Sequence, residues 1–281
     1  MRLSIRLPLA ALLATAAATG CTTAATGEKA PGGPAAAAVA RAARNTEAVP
    51  SLRYLVTGRM PEPGRVRIEG RVGTTPSAAR VKLITLAGAD AGTAELRLVD
   101  GHVYQSMSKQ GVTQEAVPGK HWIDFGTTGR FRSGGGLKMD VGGLRDQAGR
   151  NPAREAAFLG AAEDIHRVGT ETVDRARTTH YTGTVTVDGL RGWLKGRTGP
   201  GHAGRKQSLD TYAKMGVLDL TLDVWIDGRD RVKRQRVQGF GRHGELDLTA
   251  TFSEYGTPVT VEKPSAGDTV DIQKPPAKGR G

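Results

Sequence analysis

The sequence predicts an α+β fold: one half-open, strongly curved antiparallel β-sheet of about ten strands, with a few helices covering its concave face. Three observations predict it. Apolar and charged residues alternate with period two along much of the chain, as in Val66, Ile68, Gly70 and Val72 against Arg65, Arg67, Glu69 and Arg71. Two-residue turn signals such as Asp100-Gly101 and Asp227-Gly228 separate these runs. Helical spacing is confined to a few short stretches, so a large sheet has only a thin helical cover.

The first stretch is an address, not part of the fold. Arg2 and Arg6 form a basic start, and Leu7 to Ala18 an apolar run too short to span a bilayer. Ala18-Thr19-Gly20 is a small-residue cleavage site, so residues 1–20 read as a signal peptide. The one cysteine of the chain, Cys21, follows at once. That layout resembles the lipobox of bacterial lipoproteins, in which the sulfur is acylated and the cysteine becomes the first mature residue. Each buried CH₂ of such an anchor contributes ~0.8 kcal/mol to membrane binding. The expected place is the extracytoplasmic side of the cell membrane. A single cysteine also excludes an intramolecular disulfide and a cysteine-built metal centre.

Residues 21–33 read as a flexible polar tether, 34–272 as a single domain and 273–281 as a disordered basic tail. Pro34 to Ala48 is an Ala-rich helix, with Pro34 in its first turn and Val39, Ala40 and Ala43 at helical spacing. Leu52, Tyr54 and Val56 open the first strand. Met60-Pro61-Glu62-Pro63-Gly64 turns it into the second. Val81/Leu83, Leu96/Leu98, Val103-Tyr104 and Lys120 to Phe125 extend the meander. Residues 126–150 hold two glycine clusters with Leu137, Val141, Leu144 and Ala148 near helical spacing, giving a mobile segment or weak helix and a candidate lid. Asn151-Pro152 starts a firmer helix with Phe158 and Leu159 inward. Val168 to Val173 and Thr179 to Val187 are strands. Gly204 to Met215 is a helix stopped by Gly216. Strands at Leu220–Ile226, Arg231–Val237 and Leu246–Phe252 follow, and Val259 to Ile272 closes the domain.

The residues offer little chemistry. No two of His102, His121, His166, His180, His202 and His243 lie within five positions of each other, so each reads as a surface or turn residue without a metal. Neither a Gly-x-Ser-x-Gly elbow nor a phosphate-binding loop occurs. Asp219, Asp223 and Asp227 alternate on the solvent face of a strand. The chain therefore reads as a non-enzyme without cofactors. Net charge is +12, and Arg229 to Arg236 is densely basic. No aromatics interleave it to stack bases, so nucleic acid is not the expected partner. It reads as a solvated edge strand, with contact to anionic headgroups or a cell-wall polymer left open.

What remains is the apolar face of the sheet. Aromatics make up 5% of the chain, so a large bowl is filled by small and medium side chains and can keep a cavity. Period two places Tyr54, Val56, Val66, Ile68, Leu83, Leu96, Leu98, Leu222, Val224, Leu248 and Phe252 on that face as candidate lining residues.

The order of several short motifs carries a resemblance. After Cys21 and the Ala-rich helix come Leu52-Arg53-Tyr54 with Thr57-Gly58, Val99-Asp100-Gly101 with Tyr104, and Trp122-Ile123-Asp124. Asn151-Pro152, His180-Tyr181-Thr182-Gly183, Val224-Trp225-Ile226-Asp227 and Tyr255-Gly256 with Pro258-Val259 follow. Over residues 36–272 the chain resembles actinobacterial lipoproteins of the LppX/LprG type, related in fold to the LolA and LolB carriers. The resemblance implies a half-open barrel with helices in its concave side. It also implies a membrane-anchored protein that binds acyl chains of lipids or lipoglycans there and carries them in the cell envelope, without catalysis or metal. An envelope sensor or chaperone acting through a protein partner is the alternative.

Overall fold

In the computed structural model, residues 33–88, 91–132, 138–199 and 201–274 are described. The expected signal peptide, Cys21, the expected tether up to residue 32 and the expected tail from residue 275 lie outside the described residues.

Helix α1 (Gly33–Glu47) comes first. It buries Ala36, Val39, Ala42 and Ala43, a small-residue stripe that lets it lie close on its neighbours. Its last turn is pinned by Thr46, whose hydroxyl donates to the Ala42 carbonyl (2.8 Å) and accepts from the Val232 amide (2.8 Å). A five-strand meander follows: β1 (Ser51–Met60), β2 (Gly64–Thr74), β3 (Ser77–Thr85), β4 (Gly92–Val99) and β5 (His102–Lys109). The Asp100-Gly101 hairpin forms with both residues at positive φ, as a two-residue turn between right-twisted strands requires. Short pieces β6 (Val112–Thr113) and β7 (Trp122–Asp124) pair with β5.

The stretch 126–150 is not a single loop. It contains β8 (Arg130–Arg132) and β9 (Lys138–Asp140), paired with each other, and α2 (Val141–Ala148). Val141 and Ala148 are fully buried in the core, and Arg145 donates to the Gly101 carbonyl (3.1 Å). Asn151 caps the next helix through its Oδ1, which accepts from the Ala153 amide (3.0 Å). That helix, Pro152–Ala161, has 3₁₀ geometry and buries Phe158 and Leu159.

The second half gives β10 (His166–Val173), β11 (Ala176–Thr186), α3 (Val187–Leu194), α4 (His202–Lys214), β12 (Asp219–Asp227), β13 (Val232–Gly241) and β14 (Gly244–Ser253). A 3₁₀ turn (Ala266–Asp268) leads to β15 (Thr269–Asp271), which pairs parallel with β7. All of these but β8 and β9 form one unclosed sheet of 13 strands, in the order β10-β11-β12-β13-β14-β1-β2-β3-β4-β5-β7-β15 with β6 beside β5. β14 pairs antiparallel with β1 and so joins the two halves. The class is the expected one. The strand number exceeds ten because short terminal pieces join the sheet.

Several local expectations change. Val187 opens α3 instead of ending a strand, because Thr186 caps the helix through its hydroxyl (2.9 Å from the Gly189 amide). The basic strand β13 is central, between β12 and β14, not an edge. Lys233 is buried there and its ammonium donates to the Phe252 carbonyl (3.1 Å). Asp227 is buried too and accepts from the Arg229 and Arg231 amides (2.9 Å each), which closes the β12–β13 turn. Residues 254–265 carry no strand. Gln273, placed in the tail by composition, donates to the Phe125 carbonyl (2.8 Å).

Candidate functional site

The concave face of the sheet and helix α4 enclose a cleft of about 240 Å³. Its sheet wall is set by register. Val56 stands opposite Ile68 on one side and Ala250 on the other, and Ala250 stands opposite Gln235. The two-residue repeat then adds Tyr54 and Met60 from β1, Val81 from β3, Val237 from β13 and Leu248 from β14 to the same face. The opposite wall is Arg150 and Pro152 at the start of the 3₁₀ helix, Glu155 within it, and Ser208, Thr211, Tyr212 and Met215 on α4.

The two walls differ in chemistry. Apart from Gln235, the sheet wall is apolar or aromatic. On the helical wall Glu155 accepts from the Ser208 hydroxyl (2.5 Å) and the Tyr212 phenol (2.7 Å). Burial and the neighbouring Glu155 carboxylate push the Tyr212 phenol well above its usual range, so it stays a donor. Burial pushes the Tyr54 phenol up in the same way. Arg150 reaches the Ser208 hydroxyl (3.4 Å) and also donates to Gln207 Oε1. Gln235 Nε2 donates to the Pro152 carbonyl (3.1 Å), while its Oε1 is buried without a partner. An acceptor left in that condition costs ~1–3 kcal/mol.

Tyr54 and Ala250 at the inner end are buried, whereas Met60 and Met215 at the outer end are partly exposed. Met60 ends β1 and Met215 follows α4, so the outer end lies at the edge of the sheet where the β1–β2 and β13–β14 hairpins turn. Leu86, Leu218 and Phe240 lie at that same edge, and Leu218 (63%) and Phe240 (75%) are largely exposed. A second, larger groove of about 950 Å³ runs beside α3, with Glu163, Asp164, Asp219 and Glu245 in its walls. Those carboxylates share its walls with Val185, Leu190, Leu220, Phe240 and Leu246, so an apolar chain buried there would lie beside charges.

Of the lining residues expected from periodicity, Tyr54, Val56, Ile68 and Leu248 line the cleft. Leu98, Leu222, Val224 and Phe252 are buried on the same face, in the core that also includes Tyr54, Val56, Val237 and Ala250, but they do not line the cleft. Leu96 packs at the margin of that core. Val66 is fully buried outside the cleft lining, and Leu83, opposite Ile68, is partly exposed. Sequence reasoning missed the whole helical wall and Gln235. Ser208 and Tyr212, four residues apart on one helical face, were the available signal. Among the described residues, the candidate lid contributes none to the lining before Arg150. Its helix α2 packs against β4 and β5 instead.

Two further expectations shift. His180 is no surface residue: it is mostly buried, bonded through Nε2 to Asp223 (2.8 Å) and through Nδ1 to Glu171 (3.0 Å), and stacked on Trp225. Asp223, read as solvent-facing, is thereby half-buried as well. Among the described residues no group of three His, Cys, Asp or Glu side chains could hold a metal ion, and no helix is long and apolar enough to cross a membrane.

No family model matches the chain. Over 189 residues it is 33% identical to an uncharacterised 31.2 kDa protein of Streptomyces griseus, a match covering 67% of this chain and 59% of that one. The chain thus spans little more than half the length of that relative. Over 253 residues it is 28% identical to a putative lipoprotein of Streptomyces coelicolor, covering 86% of this chain and 76% of that one. Among solved structures, the lipoprotein LppX of Mycobacterium tuberculosis is 17% identical with a TM-score of 0.48, covering 81% of this chain and 98% of that one. LprF of Mycobacterium bovis is 14% identical with a TM-score of 0.49, covering 82% and 97%. The likeness to a putative lipoprotein agrees with the lipoprotein resemblance that the motif order carries.

Proposed function

We propose that this protein is a membrane-anchored envelope lipoprotein that holds an acyl chain of a lipid in the cleft between its concave sheet face and α4. The single observation that carries the reading is the division of the cleft into an apolar strand wall and a polar helical wall. An amphiphile fits such a division. Its chain lies along Val56, Ile68, Val237 and Leu248, and each Å² of apolar area removed from water contributes about 25 cal/mol. Its polar part meets Arg150, Ser208 and Tyr212, and a hydroxyl or amide on it would satisfy Gln235 Oε1.

The cleft volume of about 240 Å³ is below the ~300–1,000 Å³ of pockets that enclose drug-sized ligands. A single slim chain suits it better than a lipid with several chains. The exposed Leu218 and Phe240 beside the outer end would give a chain an apolar path between bilayer and cleft. Acylation of Cys21 would hold the protein at the extracytoplasmic surface, and the likeness to a putative lipoprotein supports that placement. No step of this reading calls for catalysis or a cofactor.

The test is extraction of purified protein with organic solvent followed by mass spectrometry, together with uptake of a fluorescent fatty acid. Bound lipid, and uptake lost when Ala250→Leu fills the cleft, is the expected result. Lipid-free protein that also takes up no probe overturns the reading.

A further inference from the structure

On the convex face, turned away from the lipid cleft, five strands frame a third depression, of about 620 Å³. Its walls carry the guanidinium groups of Arg59, Arg65, Arg67, Arg234 and Arg236, against two carboxylates, Glu245 and Asp247. Two of the cations are neutralised locally. Arg236 makes a bidentate pair with Asp247 (2.8 and 2.6 Å), and Arg67 pairs with Glu69 (2.7 Å). Arg59, Arg65 and Arg234 have no ion pair among the described residues. Arg59 and Arg65 face each other directly across the β1–β2 ladder, a placement that costs stability when both are charged and nothing lies between them.

Trp225 forms one end of the depression. It is 7% exposed, and its indole Nε1 is buried with no hydrogen-bond partner. Arg234 stands opposite it on β13, with its guanidinium 5.4 Å from the indole centroid and its own Nε also buried and unpartnered. His180 stacks on the far face of the arrangement, 4.1 Å between ring centroids, and fixes the indole in place. Two orphaned N–H donors and three unpaired cations around one depression lack the same thing: a multivalent oxyanion acceptor. A phosphate group supplies several acceptor oxygens and favours guanidinium partners.

We propose that this convex depression is an oxyanion site for a phosphate group of the kind carried by glycerophosphate headgroups, with Trp225 and Arg234 as its donors and Arg59 and Arg65 as its outer cations. It does not depend on what the concave cleft holds.

The chain has three tryptophans, so its indole N–H region in a ¹H–¹⁵N spectrum is simple, and Trp225→Phe assigns the peak that matters. The experiment uses the full chain with Cys21→Ser, which leaves it without the proposed acyl anchor. Inorganic phosphate and glycerophosphoglycerol are titrated separately at constant ionic strength. The expected result is a saturable shift of the Trp225 indole peak with those of Trp122 and Trp193 in place. Arg234→Ala weakens the response at least tenfold, the size expected for one charge-assisted hydrogen bond. Arg59→Ala with Arg65→Ala, both on exposed positions, weakens it without disturbing the other two peaks. Tighter binding of glycerophosphoglycerol than of inorganic phosphate assigns the site to headgroups, and equal binding assigns it to free phosphate. A Trp225 peak that stays put with both probes, or three peaks that drift together, overturns the proposal.

Discussion

The phenol ring of Tyr54 lies flat against Gly70, its cross-strand partner on β2, so closely that a Cβ at residue 70 would come within 2.0 Å of the Tyr54 Cζ. The glycine is thus what lets a large aromatic side chain lie down on the sheet floor and leave the space above it open. Gly70→Val removes that berth and stands the ring up into the cleft. Overpacking of this kind costs ~1–3 kcal/mol. The expected outcome is a lower melting temperature together with loss of fatty-acid uptake, read by calorimetry and probe fluorescence on the same preparation. A variant that melts lower but still takes up the probe would separate Tyr54 from the cleft.

Glu95 sets a pH dependence. It is 7% exposed on β4 and accepts from Arg80 (2.8 and 3.3 Å) and Arg97 (2.8 Å), with Lys82 at 3.5 Å. Burial pushes its carboxyl up, but the hydrogen bonds from Arg80 and Arg97 outweigh burial and hold it below its usual value. A carboxylate that is more acidic folded than unfolded contributes stability above the unfolded value. That contribution is lost as the pH falls through the ordinary glutamate range and on to the lowered folded value. Glu95→Gln is therefore expected to destabilise the protein at pH 7 by ~1–3 kcal/mol. The difference between parent and variant should shrink in urea melts repeated from pH 5 down to pH 3. A difference that stays constant across that window would show that the charge is not its source.

Core and cleft share one face of the sheet, and mutations should tell them apart. Phe252 is fully buried in the closed core, while Ala250, two residues before it on the same strand, lines the cleft. Phe252→Ala empties a packed site and is expected to cost ~3–5 kcal/mol. Ala250→Leu fills existing space and is expected to leave the melting temperature nearly unchanged while abolishing uptake. Equal losses of stability in the two variants would mean that the cleft is as tightly packed as the core.

The alternation along β1, β2, β12 and β14 was legible because one side of each strand is dry and the other wet. Period two reads that contrast directly. The same pattern cannot say which part of the dry side is packed and which is open, since Leu98 and Leu248 look alike along the chain. The division is made by helices, and α3 was hidden by Gly189 and Gly192, which lower helix propensity. Its Thr186 cap and the burial of Leu190 and Leu194 decide in favour of the helix. The basic strand β13 misled for a related reason. Lys233 and Gln235 face the interior because each places a donor on one carbonyl there, the Lys233 ammonium on Phe252 and the Gln235 Nε2 on Pro152. Composition carries no trace of such partners. The convex depression was equally invisible, because it needs Arg59 and Arg234, far apart in sequence, to meet through the β14–β1 pairing.

Cys21 carries the anchor in the proposed function, and its chemistry can be tested apart from the cleft. If the sulfur is acylated, protein made in an actinobacterial host fractionates with membranes, and its N-terminal peptide carries the mass of the acyl chains. Two or more chains at ~0.8 kcal/mol per buried CH₂ make release negligible, whereas one chain gives only marginal binding. Cys21→Ser is therefore expected to move the protein from the membrane to the soluble or secreted fraction while leaving fatty-acid uptake intact. The two readouts fail for different reasons. A Cys21→Ser protein that stays at the membrane would place the attachment elsewhere, with the exposed Leu218 and Phe240 as the next residues to change. One that leaves the membrane but no longer binds the probe would mean that the cleft is filled only from the bilayer, through the edge those two residues mark.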